Sequence, residues 1–127
     1  MDRSAAVSAG VALKRYRDVA ASTQVLAASQ TELTAILYQE LTDTLARGRR
    51  QDRTLDAAAR ALELLAELDA PLGDAASDFG AAMRMIHARA EAQILRALRE
   101  NDPKWCQAAA ATIAPIAEAW ASVRSRS

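Results

Sequence analysis

Few side chains in this sequence could do chemistry. His87 and Glu91 stand four residues apart, the spacing that puts two ligands on one face of a helix. A carboxylate-bridged di-iron centre in a helical bundle draws on Glu-x-x-His pairs and further glutamates from facing helices, and one histidine cannot furnish that set. The pair therefore reads as a boundary histidine near an acid, because ligand number and geometry decide a metal site. Cys106 would be a nucleophile only beside a base and in electropositive surroundings. Its spacing with Ala109 and Ile113 puts it on an apolar helical seam instead. Glycine-rich phosphate loops and Ser/His/Asp sets are absent. The expectation is a protein that is no enzyme and carries neither metal nor cofactor.

Other residues suit recognition. Arg47, Arg49, Arg50 and Arg53 could meet phosphate or an acidic partner, or could equally be a solvated turn whose cations complement a helix C-terminus. Trp105 and Trp120, with Met83 and Met85, belong to types that serve both as core filler and as binding anchors. Glu63/Glu67 and Arg96/Glu100 have the spacing of solvent-facing charges on a helix.

The elements that must position these residues are helices. The chain has 127 residues, the size of one domain, and is rich in alanine, leucine, glutamate and arginine, with four glycines and three prolines. No stretch alternates β-branched and aromatic residues as a strand would. Ser29-Gln30-Thr31-Glu32 has the form of a capping box, and Leu33, Ile36, Leu37, Leu41 and Leu45 recur behind it at helical spacing up to Gly48. A second helix begins near Thr54, with Leu55, Ala58, Leu62, Leu65 and Leu72 on one stripe and Ala61, Leu64 and Leu68 on another, and breaks at Pro71. A third starts from a cap at Asp74 or Asp78 and carries Phe79, Ala82, Met83, Ile86, Ala90, Ile94, Ala97 and Leu98. Asp102 then caps a fourth with Pro103 at its first position, and Pro115 inside that helix predicts a kink. Short linkers between helices predict an all-α, antiparallel up-down four-helix bundle over residues 29–124, with helices at about 30–47, 54–70, 75–100 and 103–123. Residues 1–28 have only a weak helical period and are expected to form an arm, partly helical or mobile.

Charge and hydropathy exclude several roles. Sixteen basic residues balance sixteen acidic ones, which argues against nucleic-acid binding, since that draws its affinity from phosphate neutralisation. No run approaches the ~20 apolar residues of a membrane span. Ala5–Leu13 is too weakly apolar for a secretory signal, and one unpaired cysteine suits a reducing compartment. A cytoplasmic location follows as an expectation.

Val25-Leu26-Ala27-Ala28-Ser29-Gln30-Thr31-Glu32-Leu33 resembles the Val-x-Thr-Ala-Ser-Pro-x-x-Leu lead-in to the first long helix of the FliS-type flagellar export chaperones. Ile36-Leu37-Tyr38 is similar to that family's Met-Leu-Tyr, and Ile116-Ala117-Glu118-Ala119-Trp120 resembles its closing Leu-Arg-Glu-Ala-Trp. Leu62–Leu72 and Phe79–Leu98 fall where its second and third helices would, so the likeness runs from Val25 to Val123. Departures are Ala27 and Gln30 in place of threonine and proline, Tyr16 one turn before the family's upstream tyrosine, and Pro115.

The resemblance implies an antiparallel bundle that binds the disordered C-terminal segment of flagellin, prevents its premature polymerisation and assists flagellar type III secretion. Flagellin and the flagellar export apparatus are the implied partners, with a monomer expected rather than a dimer. Candidate contacts are Ile36, Tyr38 and Leu41 on the first helix, Leu64 and Leu68 on the second, Met83 and Met85 on the third, and Ile113 and Trp120 on the fourth. Val19, Val25 and Leu26 are the candidates for an arm that covers the groove. Each contact residue could equally be core, because core and groove draw on the same residue types. The alternative function is a helical adaptor or regulator that binds another amphipathic segment or itself.

Overall fold

Residues of high helix propensity with apolar side chains every three or four positions form helices that must bury one face each. The computed structural model describes residues 23–73 and 77–125, with side chains from Ser29 onward. Among these residues the regular elements are four α-helices, α1 (Thr23–Arg47), α2 (Thr54–Asp69), α3 (Asp78–Glu100) and α4 (Pro103–Ser125). Single 3-10 turns occur at Gln51–Arg53 and Ala70–Leu72, and no strand is present among the described residues. The contacts of the chain separate a unit ending at Leu33 from the unit Thr34–Ser127, and the packing below concerns the latter.

The fold is an all-α four-helix bundle. α2 packs on α3 and α3 on α4. The Gln51 side-chain amide donates to the Asn101 carbonyl at 2.7 Å, which ties the α1–α2 turn to the α3–α4 turn at one end, as an up-down path requires. The core draws Tyr38, Leu41 and Leu45 from α1, Ala58, Ala61, Leu64, Leu65 and Leu68 from α2, Met83, Ala90, Ile94 and Ala97 from α3, and Cys106, Ala109 and Ile113 from α4. α2 turns its alanine side inward, so Leu55 is left exposed and Leu62 half-buried.

The helix ends show local chemistry at work. Asp102 accepts from the Lys104 backbone N–H at 3.0 Å, with Pro103 at the first helical position, while Asn101 closes α3 in the left-handed conformation at φ 49°. Trp105 Nε1–H donates to Glu100 at 3.0 Å across the same turn, and the Arg96 guanidinium lies 4.1 Å over the indole ring. At the other turn the buried Thr54 hydroxyl contacts the carbonyls of Gly48 and Arg50 at 2.9 and 3.0 Å.

Two local expectations require correction. α1 begins at Thr23, so Ser29 lies inside the helix and does not mark its start. A capping box starts a helix only if the preceding residues do not continue it, and Thr23–Ala28 do. The cap of α3 is Ser77, which accepts from the Gly80 N–H at 3.0 Å; Asp78 is the first helical residue. Asp74 lies outside the described residues, as do residues 1–22 with Val19, whereas Val25 and Leu26 belong to the backbone of α1. Pro115 is exposed and lies within α4, which runs on through it to Ser125.

Candidate docking surface

The one described histidine is a core residue. Met83, His87, Ala90, Ile94 and Ala97 are spaced by four, three, four and three, and all five are buried, which makes them one seam of α3. A polar ring on such a seam is tolerated only when both nitrogens have partners. His87 Nδ1 lies 3.1 Å from Asp69 Oδ1 on α2, and Nε2 lies 2.7 Å from the Tyr38 hydroxyl on α1. A carboxylate accepts, so Nδ1 bears the proton and the Tyr38 O–H donates to Nε2. Tyr38 in turn stacks on Trp120 of α4, with ring centroids 6.3 Å apart. One chain of contacts therefore joins all four helices. The Arg84 guanidinium adds a bond to the Gly73 carbonyl and a 3.9 Å ion pair with Asp69.

A hydroxyl, imidazole and carboxylate in line have the form of a nucleophilic triad. Here the geometry works against catalysis. Tyr38 is 1% exposed, and burial, with the Asp69 carboxylate as a second cause, pushes its phenol well above the ordinary tyrosine value. A protonated, inaccessible phenol attacks nothing. Burial likewise pushes the Cys106 thiol up, and it packs against Gly48 in the core. Both His87 nitrogens are committed to hydrogen bonds, so the His87/Glu91 spacing provides no free pair of metal ligands. Among the described residues no three His, Cys, Asp or Glu side chains converge.

Above Asp69 and His87 lies an open concavity of about 570 Å³ between α2 and α3. Leu65, Ala66, Met85 and Ala88 provide its apolar walls, and Asp69, Arg84 and Glu91 its polar margin. Met85 is 74% exposed and Phe79, two turns back on α3, is 63% exposed. Small residues on both helices let a third helix approach closely, and the flexible methionine can mould to it.

The nine candidate contacts divide sharply. Tyr38, Leu41, Leu64, Leu68, Met83 and Ile113 are buried in the core, where a partner reaches them only by opening the bundle. The groove reading does not extend to these six. Met85 lines the α2–α3 concavity, Ile36 is exposed on α1, and Trp120 is half-buried on α4. On α2 the accessible residues of the concavity are Ala66, Asp69 and Ala70, with the buried Leu65 beneath them. Sequence reasoning missed Asp69 and the Tyr38–His87 bond; the 83/87/90/94/97 spacing was the available signal.

The chain matches the family model described as flagellar protein FliS over residues 12–127, nearly its whole length. It belongs to the FliS family. FliS proteins are chaperones of flagellar biogenesis and secretion. Neither a curated protein nor a solved structure gives a match to this FliS chain. None of its described helices is long and apolar enough to cross a membrane.

Proposed function

We propose that this FliS protein is a cytoplasmic export chaperone that holds the C-terminal segment of flagellin, delays its polymerisation and hands it to the export apparatus. The observation that carries the reading is the concavity between α2 and α3, walled by Leu65, Ala66, Met85 and Ala88 with Met85 standing 74% exposed. An amphipathic segment that is disordered when free gains helix as its apolar anchors enter such a groove. While seated there its apolar face is unavailable for self-assembly. Ile36 on α1 and Trp120 on α4 are further accessible contacts for a segment long enough to wrap the bundle.

Calorimetric titration with flagellin from the same genome tests the reading. Intact flagellin should bind one to one, and a form lacking its last ~40 residues, about 60 Å if helical, should not. Met85→Glu should weaken the complex about tenfold or more, as truncation of an interface anchor does, and leave the melting temperature unchanged because the side chain touches solvent. Absence of heat with intact flagellin, from protein shown to be folded, overturns the proposal.

A further inference from the structure

Five arginines, Arg47, Arg49, Arg50, Arg53 and Arg60, fall within fourteen residues of a chain whose net charge is zero. Four of them line a single concavity of about 500 Å³ formed by the end of α1, the turn and the start of α2. Thr44 and Ala57, both buried, belong to its lining, and Asp56 is the one carboxylate there. Four guanidiniums thus face one acid. Arg47 is held in place by donating to Thr44 Oγ1 at 3.1 Å. Arg50 and Arg60 lean on Asp52 and Glu63 at 3.5 and 3.1 Å, in exposed pairs that a better acceptor can exchange at little cost.

The helix dipole does not account for this concentration. The C-terminus of α1 carries roughly half a negative charge, which Arg47 alone offsets. The start of α2 adds charge of the opposite sign, and its cap residue Arg53 makes no side-chain cap bond. The two helix ends oppose each other, so the positive field over the concavity comes from the guanidinium side chains. Planar guanidiniums take carboxylates in paired hydrogen bonds, and a concavity with several of them suits clustered acids. A nucleic-acid surface would instead need a basic track along many phosphates, and the neutral total charge does not supply one.

We propose that this concavity is a second docking site, and that it takes a short acidic segment of a partner polypeptide. It lies at the opposite end of α2 from the α2–α3 groove. Ala57 and Ala66 are nine residues apart on that helix, about 14 Å along its axis, so both surfaces can be occupied together. The proposal is independent of the flagellin reading.

Fluorescence anisotropy with labelled hexaglutamate and the full chain at low salt is the test, with hexalysine and oligothymidylate as comparison probes. Hexaglutamate should bind and hexalysine should not. Arg53→Gln and Arg60→Gln should each weaken hexaglutamate about fivefold and together about 25-fold, the size of well-placed ion pairs at an accessible site. Both side chains are exposed, so melting temperatures should hold. Binding by the double variant equal to wild type overturns the site, and so does absence of hexaglutamate binding. Oligothymidylate binding as tight as hexaglutamate, and lost in the same variants, overturns the acidic-peptide assignment in favour of phosphate. Flagellin affinity that falls in the double variant overturns the separation of the two surfaces.

Discussion

Replacing Gly48 by alanine probes how α1 ends against α2 and α4. Among the described glycines only Gly73 has positive φ, so Gly48 suffers no backbone strain on gaining a side chain. On that ground alanine would stabilise by about 0.4–1 kcal/mol through the unfolded chain. Space decides otherwise. A Cβ at position 48 would stand 2.6 Å from Cys106 Sγ, 2.9 Å from Ala57 Cβ and 3.2 Å from Cys106 Cβ. Both neighbours are buried near the starts of α4 and α2, where they cannot swing into solvent. Forcing one methyl into a filled core costs about 1–3 kcal/mol, so the net loss should be about 1–2 kcal/mol. In a domain this size that is roughly 4–8 °C in melting temperature. Cys106→Ala removes the nearest obstruction and should recover part of the loss, with a coupling of about 1 kcal/mol in a double-mutant cycle by urea denaturation. Recovery stays incomplete because Ala57 Cβ remains at 2.9 Å. An unchanged or raised melting temperature in Gly48→Ala, or strictly additive effects in the cycle, would refute the reasoning.

Gly73→Ala should destabilise for the opposite reason: nothing lies within 4 Å of its Cβ position, but φ 54° with ψ −136° is a conformation for glycine, and alanine there costs about 1–3 kcal/mol. Thermal melting checks this, and no loss would show that the turn adjusts freely. Tyr38→Phe leaves His87 Nε2 without its 2.7 Å partner in the core and should cost about 1–3 kcal/mol in urea. The folded-state phenol is raised, so its contribution is intact below the ordinary tyrosine value of about 10 and is lost as pH climbs through the raised one. The phenylalanine variant should therefore have a flatter alkaline limb, and matching limbs would contradict the buried phenol. Glu100 is held below the usual carboxylate range, first by the Arg96 hydrogen bond and then by Trp105. Its contribution is complete above that range and disappears as pH falls through the lowered value. Glu100→Gln should flatten the acid limb and abolish the accompanying change in Trp105 fluorescence; persistence of both would exclude the Glu100–Trp105 bond as their source.

What could be read from the sequence was mostly local. Asp102-Pro103 contains its own cap and start, and no distant residue is needed to find it. The Ser29–Glu32 box failed because its meaning depends on whether six upstream residues stay helical, and in this chain they do. The face of α2 was legible in Ala58, Ala61, Leu64, Leu65 and Leu68, all buried, but leucine counting extended it to Leu55, which is exposed, and passed over Ala57, which is buried. Alanine contributes little apolar area, yet its smallness lets a neighbouring backbone come near. A helix can thus turn a modestly apolar side inward when closeness matters more than area.

His87 shows where such reading stops. By residue type it is a boundary group, and by register it belongs to the seam; only partners 49 and 18 residues away decide between these. The same three residues connect stability to the proposed site. Asp69 and His87 line the α2–α3 concavity with one side and hold Tyr38, and through it Trp120, with the other. A segment docked over them removes water from a carboxylate that is now about one-third exposed, which strengthens its attraction to Arg84 and its hydrogen bond to His87. An apolar side chain at position 87 would fill the seam but could not pass that change on. Groove and core are hard to separate in this sequence for a physical reason: the floor of one is the polar tie of the other.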